Sequence, residues 1–207
     1  MIVLDCEQGS DEWHEAKRAK PSSSGFNRII TAKGSVSTSW AKYRRELLAA
    51  YIDPDYSAIS QTPAMTRGIE LEPEARGLYQ DLTGNKVDEV GGLWLNEDKD
   101  IICSPDGLIY DKSKGLEIKC PNITTHLEYL ESNKVPSKYM IQIQSGLLFS
   151  GFETWDFMSY HPLYKPLILT VERNEALINN IKKYVVQFNN ELKKYKAEID
   201  QYNKLEF

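Results

Sequence analysis

Ser104-Pro105-Asp106-Gly107 is followed, eleven residues after the aspartate, by Glu117-Ile118-Lys119. This spacing puts two carboxylates and one ammonium on adjacent strands. Asp106 ends one strand and the Glu-Ile-Lys run forms the next, with Gly107 to Gly115 as the second half of a hairpin that turns at Asp111 to Lys114. Strand residues two apart point to one face, about 6.5–7 Å from each other. Glu117 and Lys119 therefore share a face, while Ile118 points into the core. Carboxylates at the edge of a core offer hard oxygen ligands suited to Mg²⁺ or Mn²⁺. A lysine beside them can orient or deprotonate a water, or steady an anionic transition state. These are the requirements of phosphodiester hydrolysis. Asp-Gly alone is a turn signal and Glu-x-Lys alone is common on solvated strands. The specificity comes from the combination, with Ser-Pro before the aspartate and Cys-Pro after the lysine.

Several elements must position these groups. Ser10 reads as the N-cap of a helix anchored by Trp13, and Ser22-Ser23-Ser24 as another helix start ahead of Phe26, Ile29 and Ile30. Helices are predicted over Trp40 to Tyr51 and Thr66 to Leu82, the latter ending at Thr83-Gly84 with glycine past its C-terminus. That helix carries Glu70, Glu72 and Glu74, and Pro73 either lies near its first turn or kinks it. Strands are predicted over Lys86 to Val90, Leu93 to Leu95, Ile101 to Ser104, Gly107 to Tyr110 and Leu116 to Lys119. Helices follow over Thr124 to Ser132 and Lys138 to Phe149, then strands over Thr154 to Tyr160 and Leu167 to Glu172. The final helix, about Asn174 to Tyr202, places Ile178, Ile181, Val185, Phe188, Leu192, Tyr195, Ile199 and Tyr202 on a seam of alternating three- and four-residue steps. The seam packs on the body of the chain or on a neighbouring subunit. This order predicts an α+β fold: a central mixed β-sheet flanked by helices, in a single domain over residues 1–207 with a long C-terminal helix.

Charge is segregated along the chain. The net charge is −5, yet residues 16–45 hold eight basic residues and no acidic one, whereas residues 46–118 hold fifteen acidic and six basic. The basic arm is suited to phosphates and the acidic stretch to metal ligation. Cys6, Cys103 and Cys120 are an odd number without zinc spacing, which fits a reducing cytosol and excludes a four-thiolate iron–sulfur centre. Cys120 is expected to be a small buried residue at a strand end. No apolar run approaches a membrane span, and the short acidic start does not fit a signal peptide.

Gln8-Gly-Ser-Asp-Glu-Trp13, Ser24, Arg67-Gly68 to Ala75-Arg76, Ser104-Pro-Asp-Gly107, Glu117-Ile-Lys-Cys-Pro121 and Tyr139-Met-Ile-Gln-Ile-Gln144 occur in that order. Together they resemble the lambda-exonuclease-like phage recombination nucleases, a branch of the PD-(D/E)xK superfamily, across the chain to about Glu172. The resemblance implies a restriction-endonuclease-like core and a phage- or prophage-encoded enzyme of the bacterial host cytoplasm. It implies digestion of double-stranded DNA from 5′ ends with Mg²⁺, Mn²⁺ being a possible substitute, to leave 3′ single strands. It also implies a homotrimeric ring and a single-strand annealing partner. Carried over by residue, Asp106, Glu117, the Ile118 carbonyl and Glu72 hold the metal, with Glu70 as the competitor of Glu72. Lys119 assists the attacking water and Gln142 lines the site. Ser24 and Ser104 stand near the terminal phosphate. Lys17 occupies the position where the family usually has an arginine for that phosphate, with Arg18 beside it and Arg28 further along the basic arm. Thr125, beside His126, stands where lambda exonuclease has a second arginine, and the usual Thr-Ala before Ser24 is missing. Two ions would be shared, Asp106 touching both. A site- or structure-specific endonuclease could use the same core, and a non-enzymatic DNA-binding protein would have no need of all three charged residues.

Overall fold

In the computed structural model, which describes residues 1–56 and 62–204, the chain passes from one sheet to another through Ser104-Pro105-Asp106. The smaller sheet is antiparallel, in the order β1 (Ile2–Leu4), β2 (Gly92–Trp94), β3 (Ile102–Cys103). The larger is mixed: β4 (Gly107–Ile109), β5 (Lys114–Lys119), β6 (Thr154–His161) and β7 (Tyr164–Glu172) lie in sequence order, with only β5 and β6 parallel. Six helices surround them: α1 (Asp11–Lys17), α2 (Trp40–Ile52), α3 (Pro63–Thr83), α4 (Ile123–Ser132), α5 (Ser137–Ser150) and α6 (Glu175–Asn203). This is the predicted α+β class, a mixed sheet flanked by helices with a long helix at its C-terminal end.

Parallel neighbours need a crossover rather than a hairpin, and α4 and α5 supply it between β5 and β6. The C-terminal end of β5, where Lys119 stands, consequently opens toward the start of α4. Such strand ends are where crevices form in sheets with crossover helices. Helix ends follow ordinary chemistry. Ser10, Thr62, Asn122 and Asn174 cap their helices through side-chain oxygens. Gly84 and Gly151 end α3 and α5 in the left-handed conformation. Pro73 lies well inside α3.

Three local expectations change. Residues 86–90 form no strand: only Asp88 pairs, bridging Leu108 through two backbone hydrogen bonds of 2.8 and 2.9 Å. The segment is instead drawn toward α3, with the Val87 amide donating to Gln80 Oε1 and Glu89 reaching Arg76. The serine-led helix is a short 3₁₀ turn, Ser23–Arg28. The Ser22 amide is held by the Tyr43 hydroxyl, and Gly25 lies against that ring so closely that a Cβ would meet the hydroxyl at 2.4 Å. Phe26, Ile29 and Ile30 are buried as the pattern requires. β1, unforeseen, closes the small sheet.

The seam of α6 packs on α2 and α5. Ile178, Ile181, Val185, Phe188 and Leu192 are buried, each such side chain contributing about 1.5–3 kcal/mol. Tyr195 and Tyr202 are more exposed, Tyr195 lying under the Arg44 guanidinium of α2. At the centre, Trp155 of β6 is 1% exposed and fills a slot between two glycines. A Cβ on Gly115 of β5 would lie 2.2 Å from its ring, and one on Gly146 of α5 would lie 2.5 Å from it. Alanine normally stabilises a helix interior over glycine by about 0.5–1 kcal/mol. At Gly146 the clash reverses the sign, and overpacking costs about 1–3 kcal/mol. Gly146→Ala should therefore lower the urea midpoint, whereas Gly77→Ala on α3, where a Cβ meets nothing within 4 Å, should raise or keep it.

Candidate active site

The register of the β4–β5 hairpin creates the central pair. Gly107 faces Leu116, and just before β4 the Asp106 amide donates to the Leu116 carbonyl at 3.2 Å, which holds Asp106 against β5. The ladder ends there because the Asp106 side chain replaces a backbone acceptor: its Oδ2 receives the Ile118 amide at 2.6 Å. The short 3₁₀ turn Tyr110–Lys112, with Ser113 left-handed, closes the hairpin where the turn was expected. Glu117 is only 2% exposed and its partner is Lys119, two residues along the same face. Ile118 packs with Leu116, Met158 and Tyr160 in the core beneath α3.

Glu72 of α3 joins them over the end of the sheet. Its repulsion from Asp106 is offset by Arg76, one turn on, with which it is ion-paired. Arg76 also donates from Nε to the Asp106 carbonyl at 3.0 Å and pairs with Glu89 at 2.8 Å. Arg76 belongs to a motif but carried no assigned role; its i, i+4 spacing from Glu72 was the available signal. Glu70 is exposed on α3 and absent from the cleft, whereas Glu72 lines it.

Crowded like charges away from water resist ionisation. Burial raises Glu117 to about 8, with Asp106 and Glu72 adding to the rise and Lys119 opposing it. Burial and Asp106 raise Glu72 to about 7. Burial also lifts Asp106, against the pull of Lys119, the Ile118 amide, Arg76 and Lys17. Burial acts to discharge Lys119, but Glu117 and Asp106 outweigh it and hold its pKa above the ordinary lysine value.

A cleft of about 520 Å³ opens over Asp106, Lys119 and Glu72, while buried Glu117 is not among its lining residues. One wall is α3, with Ala64, Met65, Gly68, Ile69 and Glu72. The floor is Asp106 and Ile118 to Asn122, and the far wall is Thr125 and Tyr129 of α4 with Lys138 and Tyr139 of α5. Tyr139 was quoted within a motif, but Tyr129 and Lys138 had no sequence signal beyond helical position. Gln142 lies one turn on from Lys138 and Tyr139, half-buried, and is not among the cleft-lining residues. Gln144 is buried elsewhere, receiving the Asn174 amide and donating to the Glu172 carbonyl. Thr125 faces the cleft. His126 does not, since its ring is held between Ser159 Oγ at 2.8 Å and the Lys165 carbonyl at 3.0 Å. Cys120 is buried, and its thiol is pushed up to about 12 by burial and nearby Glu72.

The basic arm divides. Lys17 lies over the Trp13 ring at 3.6 Å and close enough to Asp106 and Cys103 to feel their charge; burial lowers it to about 8. Arg18 turns away, bidentate on Glu15 with a further bond to the Ala50 carbonyl. Arg28 is ion-paired with Glu46 and stacked on Tyr43. Ser24 is exposed and paired with Ser22 Oγ at 3.2 Å. Ser104 Oγ is buried without a hydrogen-bond partner, beside Asp106 in the chain.

Among the described residues no three His, Cys, Asp or Glu side chains stand ready to hold an ion. The reason lies in the pairings: Glu72 is drawn to Arg76 and Glu117 to Lys119. The donor set nevertheless fits a hard divalent cation. It is all oxygen, partly shielded from water, and so crowded with negative charge that Glu72 and Glu117 keep their protons near neutrality.

Residues 12–153 match the YqaJ-like viral recombinase domain, and the chain belongs to that family. Among solved structures it is similar to an alkaline exonuclease (LHK-Exo) from Laribacter hongkongensis at 31% identity and TM-score 0.83, over 94% of this chain and 98% of that one. The same exonuclease in complex with dAMP matches at 31% identity and TM-score 0.81. A phage-related exonuclease from Haemophilus somnus 129PT shares the fold at 17% identity and TM-score 0.70, over 87% of this chain and 96% of that one. No match was found among curated proteins. The resemblance to lambda-exonuclease-like nucleases is thus borne out.

Arg76 should carry stability as well as the site. Arg76→Met leaves the Asp106 carbonyl and Glu72 without their donor and should cost about 1.5–3 kcal/mol in urea denaturation. Glu89→Ala, which removes the exposed partner, should change stability by less than about 0.5 kcal/mol.

Proposed function

We propose that this protein is a phage-type, metal-dependent deoxyribonuclease that degrades one strand of linear double-stranded DNA from its 5′ end, leaving 3′ single-stranded tails for recombination by strand annealing. The observation that carries the reading is the gathering of Asp106, Lys119 and Glu72 in one cleft, with Asp106 tied to the Ile118 amide and buried Glu117 ion-paired with Lys119, in a chain of this family. The similarity to an alkaline exonuclease along nearly its whole length supports exonuclease rather than endonuclease action. By analogy with the resembled nucleases, the enzyme works as a homotrimeric ring with a single-strand annealing protein.

Asp106, Glu117, Glu72 and the Ile118 carbonyl would hold one or two Mg²⁺ ions, or Mn²⁺ in their place, which when bound lower the pKa of a water and neutralise charge on the leaving oxygen. The protein's own groups do the rest. Lys119 holds its proton through neutral pH, so it serves as a hydrogen-bond donor and positive charge beside the attacked phosphate rather than as a base. The Ile118 amide fixes the Asp106 carboxylate against rotation. Arg76 holds Glu72 and the Asp106 backbone in one frame. Lys17, with Ser104 and Ser24, would receive the 5′-phosphate, Lys17 taking the role that its neighbour Arg18, tied to Glu15, does not.

Linear duplex labelled separately at its 5′ and 3′ ends, with closed circular duplex alongside, tests the reading. Label should leave the 5′ end first, only with Mg²⁺, and the circle should persist. Early loss of 3′ label, or rapid cutting of the circle, would overturn it. Lys119→Ala and Glu72→Gln should each slow digestion by about 10²–10³-fold, while Glu70→Gln stays near wild type.

Metal binding should depend on pH with a definite sign. Cations need ionised ligands, and Glu72 and Glu117 ionise at about 7 and about 8. Mg²⁺ affinity measured by calorimetry should rise from pH 6 to pH 8.5, with proton release greater at the lower pH. A flat profile without proton release would remove these two glutamates from the ligand set.

A further inference from the structure

Three lysines gather where the end of α1 meets the C-terminal helix. Lys17, at the end of α1, lies near Asp106 and Cys103. Lys20 follows three residues on; its Nζ donates to the Ala16 carbonyl at 2.7 Å and lies 5.1 Å from the Trp94 ring centroid. Lys196 of α6 donates to the Ala19 carbonyl at 2.7 Å and lies 4.9 Å from the Tyr51 ring. Ala19 takes a left-handed φ of +55°, which gives α1 the irregular end that both lysines cover. They stand alongside β3: Ser22 bridges Ile102, Lys20 and Lys196 both feel Asp100, and Lys17 sits by Cys103 and Asp106.

These charges are surplus to the fold. Among the described residues none of the three lysines has a carboxylate at ion-pair distance. The carboxylates nearby are already taken: Glu15 by Arg18, Asp100 and Asp98 by Lys193, and Asp200 by the Tyr51 hydroxyl. Lys196 is lowered to about 8 by burial and by the neighbouring charges of Lys20 and Arg18, so an anion placed between them would relieve both effects. A capping role at the carbonyl end of α1 explains one lysine. It does not explain two on different elements, gathered with a third that reaches the catalytic carboxylates.

Resting on the nuclease reading above, we infer that Lys20 and Lys196 continue the Lys17 contact as a track for successive backbone phosphates of the DNA, outside the cleft. Sequence-independent contacts of this kind fix register and contribute affinity without reading bases.

The test is equilibrium binding to a 5′-phosphorylated linear duplex in EDTA, which prevents digestion, across a series of salt concentrations. Each phosphate contact contributes about 0.9 to the slope of log affinity against log salt. Lys20→Met/Lys196→Met, which keeps the aliphatic stems over Trp94 and Tyr51, should flatten that slope by about 1.8 and weaken binding at every sequence tested. An unchanged slope and affinity in the folded double variant would reduce both lysines to helix caps and overturn the inference. If the variant does not fold, the wild-type protein decides. Acylation of Lys20 and Lys196 by an amine-reactive reagent, read by peptide mass, should be suppressed by saturating duplex; undiminished labelling would overturn the track. A wild-type protein that binds no duplex would instead sink the nuclease reading itself.

Discussion

The constraint on which this structure turns is the crowding of three carboxylates at the end of one strand. Burial raises the pKa of Asp106, Glu117 and Glu72 in this shielded crevice, and repulsion between the carboxylates adds to the rise of Glu117 and Glu72. The fold tolerates this because each carboxylate has a counterpart on the protein. Asp106 takes the Ile118 amide, Glu117 takes Lys119, and Glu72 takes Arg76. The three come from a hairpin end, a strand and a helix. Their meeting requires that β4, β5 and α3 be held together before any chemistry is possible.

That holding is done by features remote from the cleft. Asp156 of β6 is as buried as Glu117, at 2% exposure, but its carboxylate is fully engaged. It accepts from Tyr79 of α3 at 2.6 Å, Lys114 of β5 at 3.0 Å and Thr170 of β7 at 2.6 Å. One buried acid with three donors thereby pins α3 to the sheet, while another with a single lysine is left electrostatically unsettled at the site. A buried acid whose donors are all present rigidifies a core; one with too few stays responsive to a cation. Trp155, wedged between Gly115 and Gly146, sets the spacing of α5 from β5 and hence the width of the crevice that Tyr139 and Lys138 overlook.

Much of this was legible in the chain. The turn residues placed the β4–β5 hairpin, Ser10 placed the start of α1 and Gly84 the end of α3, the three- and four-residue seam placed α6, and the i, i+2 rule put Glu117 and Lys119 on one face. Other parts were not, for identifiable reasons. Residues 86–90 carry a strand-like pattern, but the short β4 offers them a single pairing position at Leu108, and α3 competes for their amides. The serine run reads as a helix cap, yet Tyr43 packs on Gly25 and compresses the segment into a 3₁₀ turn. The ion pairs of Arg28 with Glu46 and of Arg18 with Glu15 were not read from the chain either.

By itself the sequence determined the family: two acids and a lysine spaced for a hairpin end, inside a set of motifs whose order resembles that family's. Residue type and short-range spacing suffice for that, because strand and helix geometry are local. Tertiary structure alone set Glu72 in the cleft wall and Glu70 in solvent, and Thr125 in that wall while His126 is buried against Ser159. Each of those pairs is close together in sequence. Which member faces the cleft depends on helix rotation and on which distant partner captures the other, and such long-range packing leaves no trace in neighbouring residues.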